Sequence, residues 1–313
     1  MMKHLFTGLV ASTVLATSMT AFAAPPVQTD KAGMAIVTTH CDSIPLADKV
    51  NRYDYSDLKV VKVHMPGAFC SDPSAVQELI NRGVSTVILR TEDSRIDWGT
   101  VKYDVERIQG SGDSYDALIR RNPGVNFWLE VGNEPNNAGY AGVGDVWGYR
   151  WTALDTYKTL ALNAYGKISQ SWRQKYPNLK WAISVPTTYN DMQIVLQWQA
   201  SDGGVRDYYD AVATHLYGSY NLFEGNNWHS IYDFLINDSY TKALLITEAG
   251  IHDPGTSDTT KAQRYYAFMR DTAYPNSKIK AVTFWHFDAV ADDTGYSYSM
   301  ESQSDIHIVR YNW

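Results

Sequence analysis

Short apolar runs rich in β-branched residues alternate along this chain with polar turns and with stretches of helical period. The runs cover residues 34–39, 59–64, 85–90, 125–130, 181–185, 211–216, 243–247 and 281–285. Between most of them lie segments whose apolar residues recur at helical spacing: 72–82, which opens on Asp72-Pro73, then 114–121, 145–176, 191–199, 228–235 and 259–270. Strands alternating with helices imply parallel βαβ units, and eight such units imply an α/β chain closed into a single-domain (β/α)8 TIM barrel. The ends fit less well. Residues 45–55 leave room for only a short helix, and residues 291–313, rich in Ser, Asp and Tyr, show no helical pattern, so the last helix is expected to be irregular or missing. An open doubly wound sheet is the alternative, but no strand is followed by the Gly-rich phosphate loop that commonly gives such a sheet its function.

In a (β/α)8 barrel the chemistry gathers at the C-terminal ends of the strands. Strand four runs out into Gly132-Asn133-Glu134-Pro135, strand six into His215-Leu216-Tyr217, strand seven into Thr247-Glu248-Ala249-Gly250 and strand eight into Trp285-His286. Alternation along strand four puts Phe127, Leu129 and Val131 on one face, toward the helices. Trp128, Glu130 and Glu134 then share the face toward the barrel axis, as His215 and Tyr217 share a face in strand six. Two carboxylates at one barrel mouth suit cleavage of a glycosidic bond, in which one acid protonates the leaving oxygen and the other attacks the anomeric carbon. Glu130 sits deeper in strand four than Glu134 and reads as half of a structural ion pair.

Composition narrows the partners. A formal net charge of -7 and the absence of a basic run argue against nucleic acid. The 22 Tyr and 10 Trp include several in expected loops, namely Tyr140, Trp147, Tyr149, Tyr220, Phe223 and Trp228, whose flat faces suit sugar rings. Residues 1–23 read as a signal peptide: Lys3 and His4, then an apolar stretch, then Ala21-Phe22-Ala23. The mature domain is then 24–313, secreted to the periplasm or beyond, with no membrane span and with a monomer expected. Cys41 and Cys70 form an even pair that an oxidising compartment would allow to bridge. Asp288, Asp292 and Asp293 lack the spacing of a calcium loop, and the His residues lack zinc spacing, so no metal or cofactor is expected.

At these strand ends the chain resembles the retaining glycoside hydrolases of clan A, the cellulase-like 4/7 superfamily of (β/α)8 barrels. The resemblance spans essentially the whole mature chain but is carried by a few motifs. It implies that Glu134 of Asn133-Glu134-Pro135 is the acid/base and that Asn133 binds the sugar 2-hydroxyl. It also implies that Glu248 is the nucleophile, that Tyr217 of His215-Leu216-Tyr217 hydrogen-bonds it, and that Trp285 floors the subsite of the cleaved sugar. One departure stands out. The clan's Arg at the end of strand two is missing from Val61-Lys62-Val63-His64-Met65-Pro66, which leaves Lys62, His64 or Arg90 of strand three to take its place. Arg90 reads equally as a site residue or as a structural partner. The expected activity is endo-cleavage of a polysaccharide. A non-catalytic carbohydrate-binding barrel and a transglycosylase using the same residues are the rival readings.

Overall fold

The computed structural model describes residues 30–36, 59–65, 72–91, 98–108, 112–132, 166–168, 170–185, 190, 192–193, 196–197, 208–218, 228–251 and 258–284. Within them eight parallel strands close into a barrel in chain order. These are β1 (Ala32–Ile36), β2 (Val60–His64), β3 (Thr86–Arg90), β4 (Asn126–Val131), β5 (Leu179–Ser184), β6 (Ala211–Gly218), β7 (Leu244–Ile251) and β8 (Ile279–Phe284). β1 closes the ring on β8, with Gly33 opposite Thr283. Every strand expected from the sequence is present, with ends displaced by a few residues.

The helices begin where local chemistry starts them. Asp72 accepts from the Ser74 N–H at 2.8 Å and Pro73 opens the helix Pro73–Asn81, so an exposed N–H is capped and proline costs no bond. Ser114 caps the helix Tyr115–Arg121 through the Ala117 N–H at 3.2 Å. The helices Trp228–Asn237 and Asp258–Phe268 follow, the latter running into a π-turn over Met269–Ala273. The helix Trp98–Glu106 was not expected from the sequence. Its Gly99, Thr100, Val101 and Val105 are weak helix formers, and burial of Val101 and Val105 against the barrel overrides that propensity. The segments expected to be helical at 45–55 and irregular at 291–313 lie outside the described residues, as do Cys41, Cys70 and the leader.

Alternation sorts the core into two layers. Val61, Val63, Leu89, Phe127, Leu129 and Ile183 face outward and pack with helix residues such as Leu79, Ile119 and Trp172. Each such side chain contributes about 1.5–3 kcal/mol by leaving water. A smaller cluster fills the barrel: Val60, Ile88, Trp128, Ala182, Ala211, Ala213, Ala243, Leu245 and Ala281. Its one indole lies on β4, and small alanines on β5, β6 and β8 make room for it in an interior of fixed width. Among the described residues no helix is long and apolar enough to cross a membrane.

Candidate active site

One step toward the C-terminal ends of the strands, the inward positions turn polar. Lys62 (β2), Arg90 (β3), Glu130 (β4), His215 (β6), Thr247 and Glu248 (β7) and Thr283 (β8) are all at most 6% exposed. For all but Glu248 the clustering on the axis follows from strand parity above the apolar plug, since each lies two residues beyond an inward apolar position.

Glu248 reaches this cluster through a bulge. Thr214 pairs with Ile246, but His215 pairs with Glu248. On the other side Ile246 pairs with Val282, yet Ala249 pairs with Phe284. Thr247 is therefore one residue extra against both neighbours. The extra residue lets Thr247 and Glu248 both turn inward, while Ile246 and Ala249 pack in the outer layer. The Thr283 hydroxyl donates to the carbonyl of Thr247, which satisfies a backbone group where the ladder is interrupted.

Four side chains surround the Glu248 carboxylate. Lys62 Nζ donates to Oε1 at 2.8 Å and Arg90 Nη1 to the same oxygen at 3.3 Å. The Tyr217 hydroxyl donates to Oε2 at 2.6 Å, and His215 Nδ1 stands 3.2 Å from that oxygen. The His215 and Tyr217 rings meet edge to face, 6.1 Å between centroids, which holds both against β7. Arg90 is steadied from its other side by His64, whose Nε2 lies 2.9 Å from Nη1. A guanidinium has only donors, so the imidazole nitrogen accepts. Lys62 on β2 and Arg90 on β3 thus bring two positive charges to one oxygen of Glu248. A carboxylate so held is a fixed, buried anion in the polar layer above the apolar plug, of the kind that can attack an electrophilic carbon.

Glu130 is the deeper acid and is fully buried. Lys62 Nζ stands 2.9 Å from its Oε2 as a charge contact off the hydrogen-bonding direction, and the Thr247 hydroxyl donates to Oε1 at 2.7 Å. His215 Nε2 is 3.7 Å from Oε1, too long for a hydrogen bond but close enough to act as a charge. Burial pushes this carboxyl up, yet Lys62, His215 and Arg90 outweigh burial and hold it well below the usual carboxylate range. Glu130 is therefore an ion-pair partner, as its depth in the strand suggests.

The exit of β4 is shaped by Gly132. Its φ of 82° favours glycine, and its N–H donates to the Thr91 hydroxyl at 2.9 Å, which ties the end of β4 to β3. Asn133 and Glu134 follow directly in the chain. These two and Trp285 lie outside the described residues, as do Glu92, Asp93, Tyr140, Trp147 and Tyr149. Of the expected site residues the structure brings together Glu248, His215, Tyr217 and Arg90. Thr247 and Thr283 were missed by sequence reading, although a polar residue amid an inward apolar row was a usable signal. Among the described residues no group of His, Cys, Asp and Glu is arranged to hold a metal ion.

By sequence the chain matches no protein-family model and no curated protein. By structure it is similar to a family 39 glycoside hydrolase from Bacteroides cellulosilyticus, with a TM-score of 0.53 at 11% identity, over 90% of this chain and 63% of that one. It is also similar to an endo-β-1,3-glucanase of family 128 from Amycolatopsis mediterranei, seen with laminaripentaose, with a TM-score of 0.50 at 13% identity over 91% of this chain and 100% of that one. A β-1,3-glucanase of Cryptomeria japonica pollen gives a TM-score of 0.52 at 13% identity over 86% of this chain and 95% of that one. The likeness to these glycoside hydrolases is one of fold, the closed eight-stranded (β/α)8 barrel.

Proposed function

We propose that this protein is a secreted retaining glycoside hydrolase that cleaves β-glycosidic bonds within a polysaccharide. The observation that carries this reading is the Glu248 carboxylate in the C-terminal half of β7, oriented on both oxygens by Lys62, Arg90, Tyr217 and His215. In the first step Glu248 bonds the anomeric carbon as the bond from that carbon to the leaving oxygen breaks. The electron pair goes with the leaving oxygen, which takes a proton from Glu134. In the second step Glu134 removes a proton from water, the water oxygen bonds the anomeric carbon, and Glu248 leaves as a carboxylate. Asn133 holds the 2-hydroxyl and Trp285 stacks on the sugar; with Glu134, they take these roles from their places after β4 and β8 in the sequence. Two of the similar structures act on β-1,3-glucan, so this polymer leads the substrates to try, beside other glucans, mannan and xylan.

The test is Glu248→Ala, assayed on a polysaccharide the wild type degrades. Turnover is expected to vanish, and azide is expected to restore it with a product of inverted anomeric configuration. Wild-type turnover in the variant overturns the reading, and binding without turnover in the wild type favours a carbohydrate-binding barrel. Secretion is tested by N-terminal sequencing of the exported protein, with a start at Ala24 expected.

A further inference from the structure

Lys62 is shared between two acids. Its ammonium lies 2.8 Å from Glu248 Oε1 and 2.9 Å from Glu130 Oε2, and the three side chains are 0%, 5% and 0% exposed. Among the described residues the other titratable groups facing this trio are His64 on β2, Arg90 on β3, and His215 and Tyr217 on β6. The flanking position on β5 is Ala182, opposite Glu130, and β8 supplies the uncharged Thr283.

The two acids are held differently. Glu248 lies in the C-terminal half of β7 and keeps a little exposed surface, 5% of its side chain. Glu130 is sealed beneath, fastened by the Thr247 hydroxyl, whose own backbone carbonyl is fastened by Thr283. If Glu248 is the nucleophile, as proposed above, its charge changes in every turnover. The carboxylate becomes a neutral ester when its oxygen bonds the anomeric carbon, and it becomes an anion again when water displaces it. At the ester stage Lys62 loses one of its two anions. A buried ammonium without a counter-ion is strongly disfavoured.

We infer that Glu130 is a positioning residue, the standing counter-ion that keeps Lys62 charged and in place while Glu248 passes from carboxylate to ester and back. The bulge at Thr247 serves both parts, turning Glu248 toward the mouth and Thr247 toward Glu130. The inference rests on the glycosidase reading for its catalytic half and on geometry alone for its electrostatic half.

Glu130→Gln removes the standing anion and nearly keeps the shape. Lys62 then acts on Glu248 alone, and the acid limb of the kcat/KM profile is expected to move to lower pH by about one unit. kcat/KM at neutral pH should fall about tenfold or more, because the ester now forms beside an unbalanced cation, and Glu130→Asp should recover most of both effects. An unmoved acid limb with a lowered Tm marks Glu130 as merely structural and overturns the inference. Should Glu130→Gln not fold, the paired variant Lys62→Met/Glu130→Gln removes both charges. Its acid limb should move up, since the cation at 2.8 Å is the nearer loss, and an unmoved limb again overturns the inference. A thermal-stability cycle decides the electrostatic half without activity. Glu130→Gln and Glu248→Gln each leave Lys62 one anion, and the double variant leaves none, so a more than additive loss is expected. An additive loss refutes sharing, whatever the enzyme assays show. A wild type that hydrolyses no glycoside overturns the functional reading and the catalytic half together, while the stability cycle still judges the shared lysine.

Discussion

The Tyr217 hydroxyl donates to Glu248 Oε2 at 2.6 Å, across the junction of β6 and β7 where the strand register shifts. The bond joins a residue two beyond His215 to an acid directly opposite His215, and only the bulge at Thr247 brings them within reach. A hydrogen bond to a charged group is worth about 1.5–3 kcal/mol. Tyr217→Phe is therefore expected to lower kcat/KM by roughly 10- to 100-fold, with Tm nearly unchanged, because the ring keeps its contact with His215. A fall in Tm with unchanged turnover would show that the bond serves stability alone.

Lys62→Met leaves Glu130 and Glu248 without the cation they share. Breaking a buried pair in this way costs about 3–5 kcal/mol. Chemical denaturation should show a loss of that size, and Lys62→Arg, which keeps the charge, should show less.

Glu130 also sets an acid dependence of stability. Its folded carboxyl is held below the ordinary range, so its contribution is fully present above that range and is lost progressively as pH falls from there toward the lower folded value. The difference in Tm between wild type and Glu130→Gln should be largest near pH 7 and should shrink below about pH 4, the usual carboxylate value. A gap that persists undiminished at low pH would mean that the carboxylate charge is not what stabilises the fold there.

Gly132 carries a φ of 82°, a conformation that costs a residue with a Cβ about 1–2 kcal/mol. Gly132→Ala should lower stability by about that amount. Because Asn133 and Glu134 follow directly, it should also lower kcat, by roughly a hundredfold if the acid is displaced by about 1 Å. Equal kcat in the two proteins would separate the β4 exit from the placement of Glu134.

How much of this was legible in advance differs from residue to residue. The eight strands could be read because a pleat of period two and short β-branched runs are local signals. The inward facing of Trp128 and Glu130 and the pairing of His215 with Tyr217 followed from the same parity. The helix Trp98–Glu106 could not be read, because burial of Val101 and Val105 against the barrel outweighs its weak local propensity. At Glu248 simple alternation is insufficient, since the extra residue at Thr247 exists only relative to β6 and β8.

What the sequence by itself determined is therefore the succession of strands and helices, and with it which residues end at the barrel mouth: the distances involved span a few residues and the forces are propensity and patterning. What only the tertiary structure decided is which cations answer Glu248. Lys62 lies 186 residues away in sequence and Arg90 158 residues away. Closure of the barrel brings them together in a space too dry to leave any of these charges unpaired, and the bulge then chooses the oxygen atoms they meet.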